Sequence, residues 1–131
     1  MSQENVEVIR AVIEAMNRDD GEGALQRMDP EIRFEHRLGA LQGNVVGHDG
    51  VKALFADFGD HFESWRIYCE DIRDLGDRVL ALGTVRATGK ESGAETELPF
   101  TVVARIREGL VTDYTDNGDR DQALEAAGLS E

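Results

Sequence analysis

Three histidines, one cysteine and a group of carboxylates near the C-terminus are the residues of this chain whose types could do chemistry. His36 follows Ile32 and Phe34 at two-residue spacing, with Arg33, Glu35 and Arg37 between them, the pattern of a strand with one buried face. That spacing sets an imidazole, which titrates near neutrality, among apolar neighbours, where it can exchange protons with a bound molecule or serve as a hydrogen-bonded residue near a sheet edge. Asp116 lies in Tyr114-Thr115-Asp116-Asn117, and a carboxylate turned to the apolar side of such a strand is costly to bury without a partner or a task. Asp113, Asp116, Asn117, Asp119 and Asp121 invite a calcium reading, but counting from Asp113 puts Leu124 where a helix-loop-helix calcium loop needs a bidentate glutamate. Asp119 or Asp121 fits better as the cap of a terminal helix. His48, His61 and Cys69 form no metal-ligand spacing, and Cys69 between apolar neighbours reads as a buried structural thiol. No metal and no organic cofactor is expected.

These side chains need elements to hold them. Val6, Ile9, Ile13 and Met16 recur at helical spacing after Ser2, which predicts an amphipathic helix over residues 3–17 with Ser2 as its cap. A short helix over 22–28 follows, broken at Asp29-Pro30 because proline disfavours helix in the residue before it. The first strand carries His36, the segment 39–47 reads as turns, and Val51, Leu54, Phe55, Phe58 and Phe62 mark a third helix. From Trp65 onward the pattern is strands: Trp65, Ile67 and Cys69; then Val79, Ala81, Gly83 and Val85; then Leu98 to Ile106; then residues 110–117. A helical piece over 121–127 ends at Gly128. Three N-terminal helices must therefore cover one face of a bent antiparallel sheet and enclose a cavity against it, an α+β arrangement. Met16, Phe55, Phe58, Phe62 and Trp65 are candidates to line that cavity, with Phe34 and Tyr114 on the strands.

The 131 residues suit a single domain spanning 1–131. With 14 Lys and Arg against 27 Asp and Glu, the formal charge is −13, which disfavours nucleic acid and anionic membranes as partners. The first ten residues lack the basic-then-apolar order of a signal peptide and no stretch suffices to span a membrane, so a cytoplasmic protein is expected.

Asn5-Val6-Glu7-Val8-Ile9-Arg10, Met16-Asn17-Arg18-Asp19-Asp20, Met28-Asp29-Pro30-Glu31, Gly47-His48-Asp49-Gly50-Val51 and Ala123-Leu124-Glu125-Ala126-Ala127-Gly128-Leu129, in this order and spacing, resemble the SnoaL-like branch of the nuclear transport factor 2-like superfamily. The resemblance implies a conical barrel of a strongly bent, antiparallel-rich sheet, a ligand cavity inside the cone and a homodimer formed through the convex side. It does not imply one reaction. The oxyanion donors of ketosteroid isomerases would fall on Val12 and Val102, which cannot donate. The paired Arg-x-Asp of limonene epoxide hydrolase would fall on Arg86-Ala87-Thr88, where the acid is missing; Arg86 could still orient a ligand, although a single strand arginine on an acidic surface is by default a solvated ion pair. The acid/base histidine of SnoaL-like cyclases falls on His36, and their aspartate on Asp116. The resemblance thus implies a cofactor-free cyclase, isomerase or dehydratase acting on a small hydrophobic carbonyl compound through His36 and Asp116. Its alternative is a noncatalytic domain holding such a molecule in the same cavity, lined in either case by Val12, Met16, Phe34, Phe55, Phe58, Phe62, Trp65, Arg86, Val102 and Tyr114.

Overall fold

A computed structural model describes residues 2–38, 41–117, 120–126 and 128. The first helix, α1 (Ser2–Asn17), buries Val8, Ile9, Val12, Ile13 and Met16 along one stripe. The Ser2 side chain lies outside the described residues. Asp19 turns the chain at a left-handed φ of 60°, and Asp20 caps α2 (Gly21–Leu25) by accepting from the Gly23 amide at 2.9 Å. This second helix stops three residues before the expected end at Met28. The Arg27 carbonyl accepts from the Val111 amide at 2.8 Å, and the sheet thereby captures the backbone before another helical turn can form.

Strand β1 (Met28–Leu38) therefore starts earlier than the alternation at Ile32 suggests. The segment expected to be turns contains strand β2 (Leu41–Val46), paired antiparallel with β1 from Arg33 opposite Val46 to Leu38 opposite Leu41. Gly39 and Ala40 lie outside the described residues. Helix α3 (Gly47–His61) opens at Gly47, whose φ of +81° suits glycine. Phe62, expected on the helix, is already extended (φ −123°, ψ 133°) and begins β3 (Phe62–Asp74). Then come β4 (Arg78–Gly89), β5 (Glu95–Arg107), β6 (Leu110–Asp116) and α4 (Arg120–Ala126). Of the two cap candidates for α4, Asp121 sits in its first turn and Asp119 lies outside the described residues.

The six strands form one sheet in the order β2-β1-β6-β5-β4-β3, with β1 and β6 parallel and every other pair antiparallel. The bent α+β sheet under three N-terminal helices is present. It stays open, with β2 and β3 as its edges. Part of the bend has an identifiable cause. The ladder between β3 and β4 slips between Cys69 and Asp71, opposite Gly83. A Cβ on Gly83 would overlap the Tyr68 carbonyl oxygen and lie 2.8 Å from the Cys69 Cα, so the bulge closes on a residue without a side chain. Cys69 is half-buried rather than buried; its thiol donates to the Asp71 carbonyl at 3.7 Å, and burial pushes its pKa up, away from thiolate chemistry.

Helices α1 to α3 cover the concave face, where Val79, Ala81, Val85, Phe100, Val102 and Ala104 join the main core. The opposite parity of β4, Leu80 and Leu82, is buried with Ala123 and Leu124 of α4. Asn17 ties α1 to the sheet as a strand would: its amide nitrogen donates to the Ile67 carbonyl at 2.8 Å and its oxygen accepts from the Ile67 amide at 2.7 Å. None of the described helices is long and apolar enough to cross a membrane.

Candidate active site on the concave face

Two neighbouring strands carry the chemistry. Phe34 of β1 lies directly opposite Tyr114 of β6 in the parallel ladder, and their rings stack 4.2 Å apart at 6°. Two residues further along each strand, on the same face, stand His36 and Asp116. Both are buried, at 6% and 8% exposure, and both line one chamber at the open end of the concave face. The helices close it with Met16 from α1 and Phe55 and Phe58 from α3, while Trp65, Ile67, Val85 and Phe100 complete the wall from β3, β4 and β5. Edge-on aromatic contacts hold these walls: Phe34 with Phe55 at 6.2 Å, His36 with Phe58 at 5.0 Å, and Phe58 with Trp65 at 5.2 Å. The space left for water-sized spheres is about 30 Å³, roughly two waters.

The polar groups of the chamber differ in how they are satisfied. Thr101 donates to Asp116 Oδ1 at 3.3 Å. His36 Nδ1 is buried with no hydrogen-bond partner among the described residues, an arrangement that costs about 1–3 kcal/mol unless something occupies it. Burial lowers the His36 pKa below its ordinary value of 6.5, with Asp57 partly opposing the shift, so the ring is neutral at neutral pH. Burial, and then the charge of Asp116, hold the Tyr114 hydroxyl well above its ordinary value, which keeps it protonated. The chamber thus combines a neutral imidazole, a carboxylate and a phenol in an apolar wall. Its chemistry is proton transfer and hydrogen bonding.

Of the residues expected to line the cavity, Met16, Phe34, Phe55, Phe58, Trp65 and Tyr114 do so. Four do not. Val12 and Val102 are fully packed core residues, at 0% and 1% exposure, and Phe62 packs against the core from the start of β3. Arg86 points away from the helices: it donates to Glu97 at 2.7 Å across the β4–β5 ladder and lies 5.3 Å over the Tyr68 ring, so it cannot orient a ligand in the chamber. Ile67, Val85 and Phe100 were not anticipated in the wall. Each stands at even spacing from residues assigned to the buried face, which was the available signal. His48 anchors the start of α3 by donating from Nε2 to the Met28 carbonyl at 2.9 Å, and the His61 ring meets the Asp57 carbonyl on the surface. Among the described residues, no three His, Cys, Asp or Glu side chains converge as metal ligands.

A SnoaL-like domain family matches residues 9–114. The chain belongs to that family. Among solved structures, this SnoaL-like chain is similar to an NTF2-like protein of unknown function from Burkholderia pseudomallei, at 28% identity over 93% of this chain and 95% of that one, with a TM-score of 0.81. It is also similar to TerC co-crystallised with polyporic acid, at 27% identity over 95% and 98% of the two chains, with a TM-score of 0.80. A candidate polyketide cyclase from Xanthomonas campestris shares the fold at 21% identity, covering 96% and 98%, with a TM-score of 0.72. No curated protein matches the chain in sequence.

Proposed function

We propose that this SnoaL-like chain is a cofactor-free enzyme that moves a proton on a small hydrophobic carbonyl compound bound in the cone cavity with its carbonyl end in the chamber, in a cyclisation, isomerisation or dehydration. The observation that carries the reading is the burial of His36 and Asp116 on adjacent strands in one apolar chamber, with a ring nitrogen of His36 unpartnered among the described residues. Asp116 is the base that takes a proton next to the carbonyl. Neutral His36 donates to the oxygen as negative charge develops there, and the protonated Tyr114 hydroxyl is a second donor in the same wall. In a water-poor chamber such hydrogen bonds strengthen as the oxyanion forms. The crystallisation of TerC with polyporic acid supports a small organic molecule as the occupant.

The test needs no knowledge of the final product. The protein is incubated in deuterium oxide with a panel of small ketones such as 2-tetralone, and loss of the α-proton signal is followed by NMR. Catalysed exchange that Asp116→Asn reduces by 100-fold or more, with an unchanged melting curve, supports the enzyme. Exchange that survives intact in Asp116→Asn removes that residue from the mechanism. Ketones that bind through His36 but never exchange establish instead the noncatalytic binding domain.

A further inference from the structure

Beside the chamber lies a second, larger hollow of about 170 Å³ on the same measure. Met16, Phe55 and Trp65 line both spaces and so form the partition between them. They come from α1, α3 and β3, and Phe55 and Trp65 are half-buried where Phe34 and Phe58 are buried. Methionine is unbranched and adapts its shape easily. Two glycines, Gly21 and Gly59, line the outer hollow. A Cβ on Gly21 would meet the Phe55 ring at 3.4 Å, and a Cβ on Gly59 would meet nothing within 4 Å. Gly59 lies inside α3, where glycine weakens a helix relative to alanine. No close backbone approach and no positive φ requires it there.

Asp19 and Asp20 form the polar rim of the outer hollow. Each has a cationic neighbour: Arg66 stands 3.5 Å from Asp19 and Arg18 3.4 Å from Asp20. The rim therefore presents no net cationic attraction, while the chain as a whole, at −13, repels anions. An uncharged molecule is the best match to both spaces. With room for roughly two waters, the inner chamber holds little more than a polar head unless the partition moves.

We propose that the ligand is an elongated, uncharged molecule spanning both hollows: a hydrogen-bonding head meets His36 and Asp116, and an apolar tail passes the Met16, Phe55 and Trp65 partition into the outer hollow. Gly59 sets the tail length. The proposal rests on the chamber being a small-molecule site, and it names the shape of the molecule that enters. The probes are phenol and its 4-ethyl, 4-butyl and 4-hexyl derivatives, with affinities measured by calorimetry or NMR at neutral pH. In the wild-type protein, affinity rises about fourfold per methylene while the tail enters the outer hollow. Gly59→Leu, a helix-favouring change into open space whose fold is checked by circular dichroism, weakens 4-hexylphenol at least tenfold and leaves phenol unchanged. Phe55→Ala raises the affinity of the long derivatives. Affinity independent of tail length, or a Gly59→Leu variant that binds 4-hexylphenol as tightly as wild type, overturns the spanning arrangement. If phenol still loses affinity in His36→Leu, the chamber survives that outcome as the binding site. Phenol binding that ignores His36→Leu overturns both.

Discussion

The two faces of strand β4 treat burial in opposite ways. Toward the helices, Val79, Ala81 and Val85 lead from solid core to the chamber wall. Toward the outside, Leu80 and Leu82 are sealed by Ala123 and Leu124 of α4, and Arg86 further along is an exposed partner of Glu97 and Tyr68. On this face of β4, Leu80 and Leu82 are apolar and covered, and Arg86 is polar and paired. The inner face differs at its open end, where His36 is buried among aromatic rings with a nitrogen that has no partner among the described residues. The cost is local, and it lies where a bound molecule could remove it. That contrast is why the chamber, rather than the outer sheet, reads as the functional surface.

The contrast yields predictions of decreasing size. Leu82→Ala, under α4, should cost about 2–5 kcal/mol in chemical denaturation because it leaves a cavity in a packed site. It should leave phenol binding unchanged, and a binding loss comparable to the stability loss would show that the two faces are coupled. His36→Leu should act in the opposite sense, raising stability by about 1–3 kcal/mol as the orphaned nitrogen disappears, while destroying ligand binding and any proton exchange. Destabilisation by that substitution would mean that the imidazole has a structural partner. Arg86→Ala, on the open outer face, should change stability by no more than about 1 kcal/mol and alter neither binding nor exchange. A strong effect of Arg86 on the ligand would return it to the site from which its geometry excludes it.

The sequence made the helices and most strands legible because their periodicities are enforced by a buried face. It failed where backbone pairing, not side-chain burial, decides. The edge strand β2 contains Gly43 and Asn44 and needs a single ladder to β1, so turn-forming residues hid it. Met28 joined β1 because the neighbouring Arg27 carbonyl bonds to β6, a contact from the far end of the chain. The site was half legible. Alternation put His36 on an apolar face, and the family resemblance picked out Asp116. Periodicity could not tell which inward residues are packed solidly between helix and sheet, like Val12 of α1 and Val102 of β5, and which face the chamber, like Val85 and Phe100, because that depends on how the helices sit over the sheet. Arg86 kept two readings open, ligand orientation and a solvated ion pair, because its partners, Glu97 and Tyr68, come from separate strands; the structure has the ion pair.

His36 is a neutral, desolvated group positioned to meet a ligand, and NMR titration of its ring nitrogens measures this at the atom concerned. Because its folded pKa is lowered, the unfolded chain takes up the proton first as pH falls. Stability linked to His36 is therefore present above about pH 6.5 and is lost as pH drops through the window below it. The expected result is a His36 pKa below 6.5, a neutral ring at pH 7, and a change in the Nδ1 shift when a phenol binds. A His36 that titrates at or above its ordinary value, with ring nitrogens indifferent to ligand, would rule out a desolvated imidazole that meets the ligand.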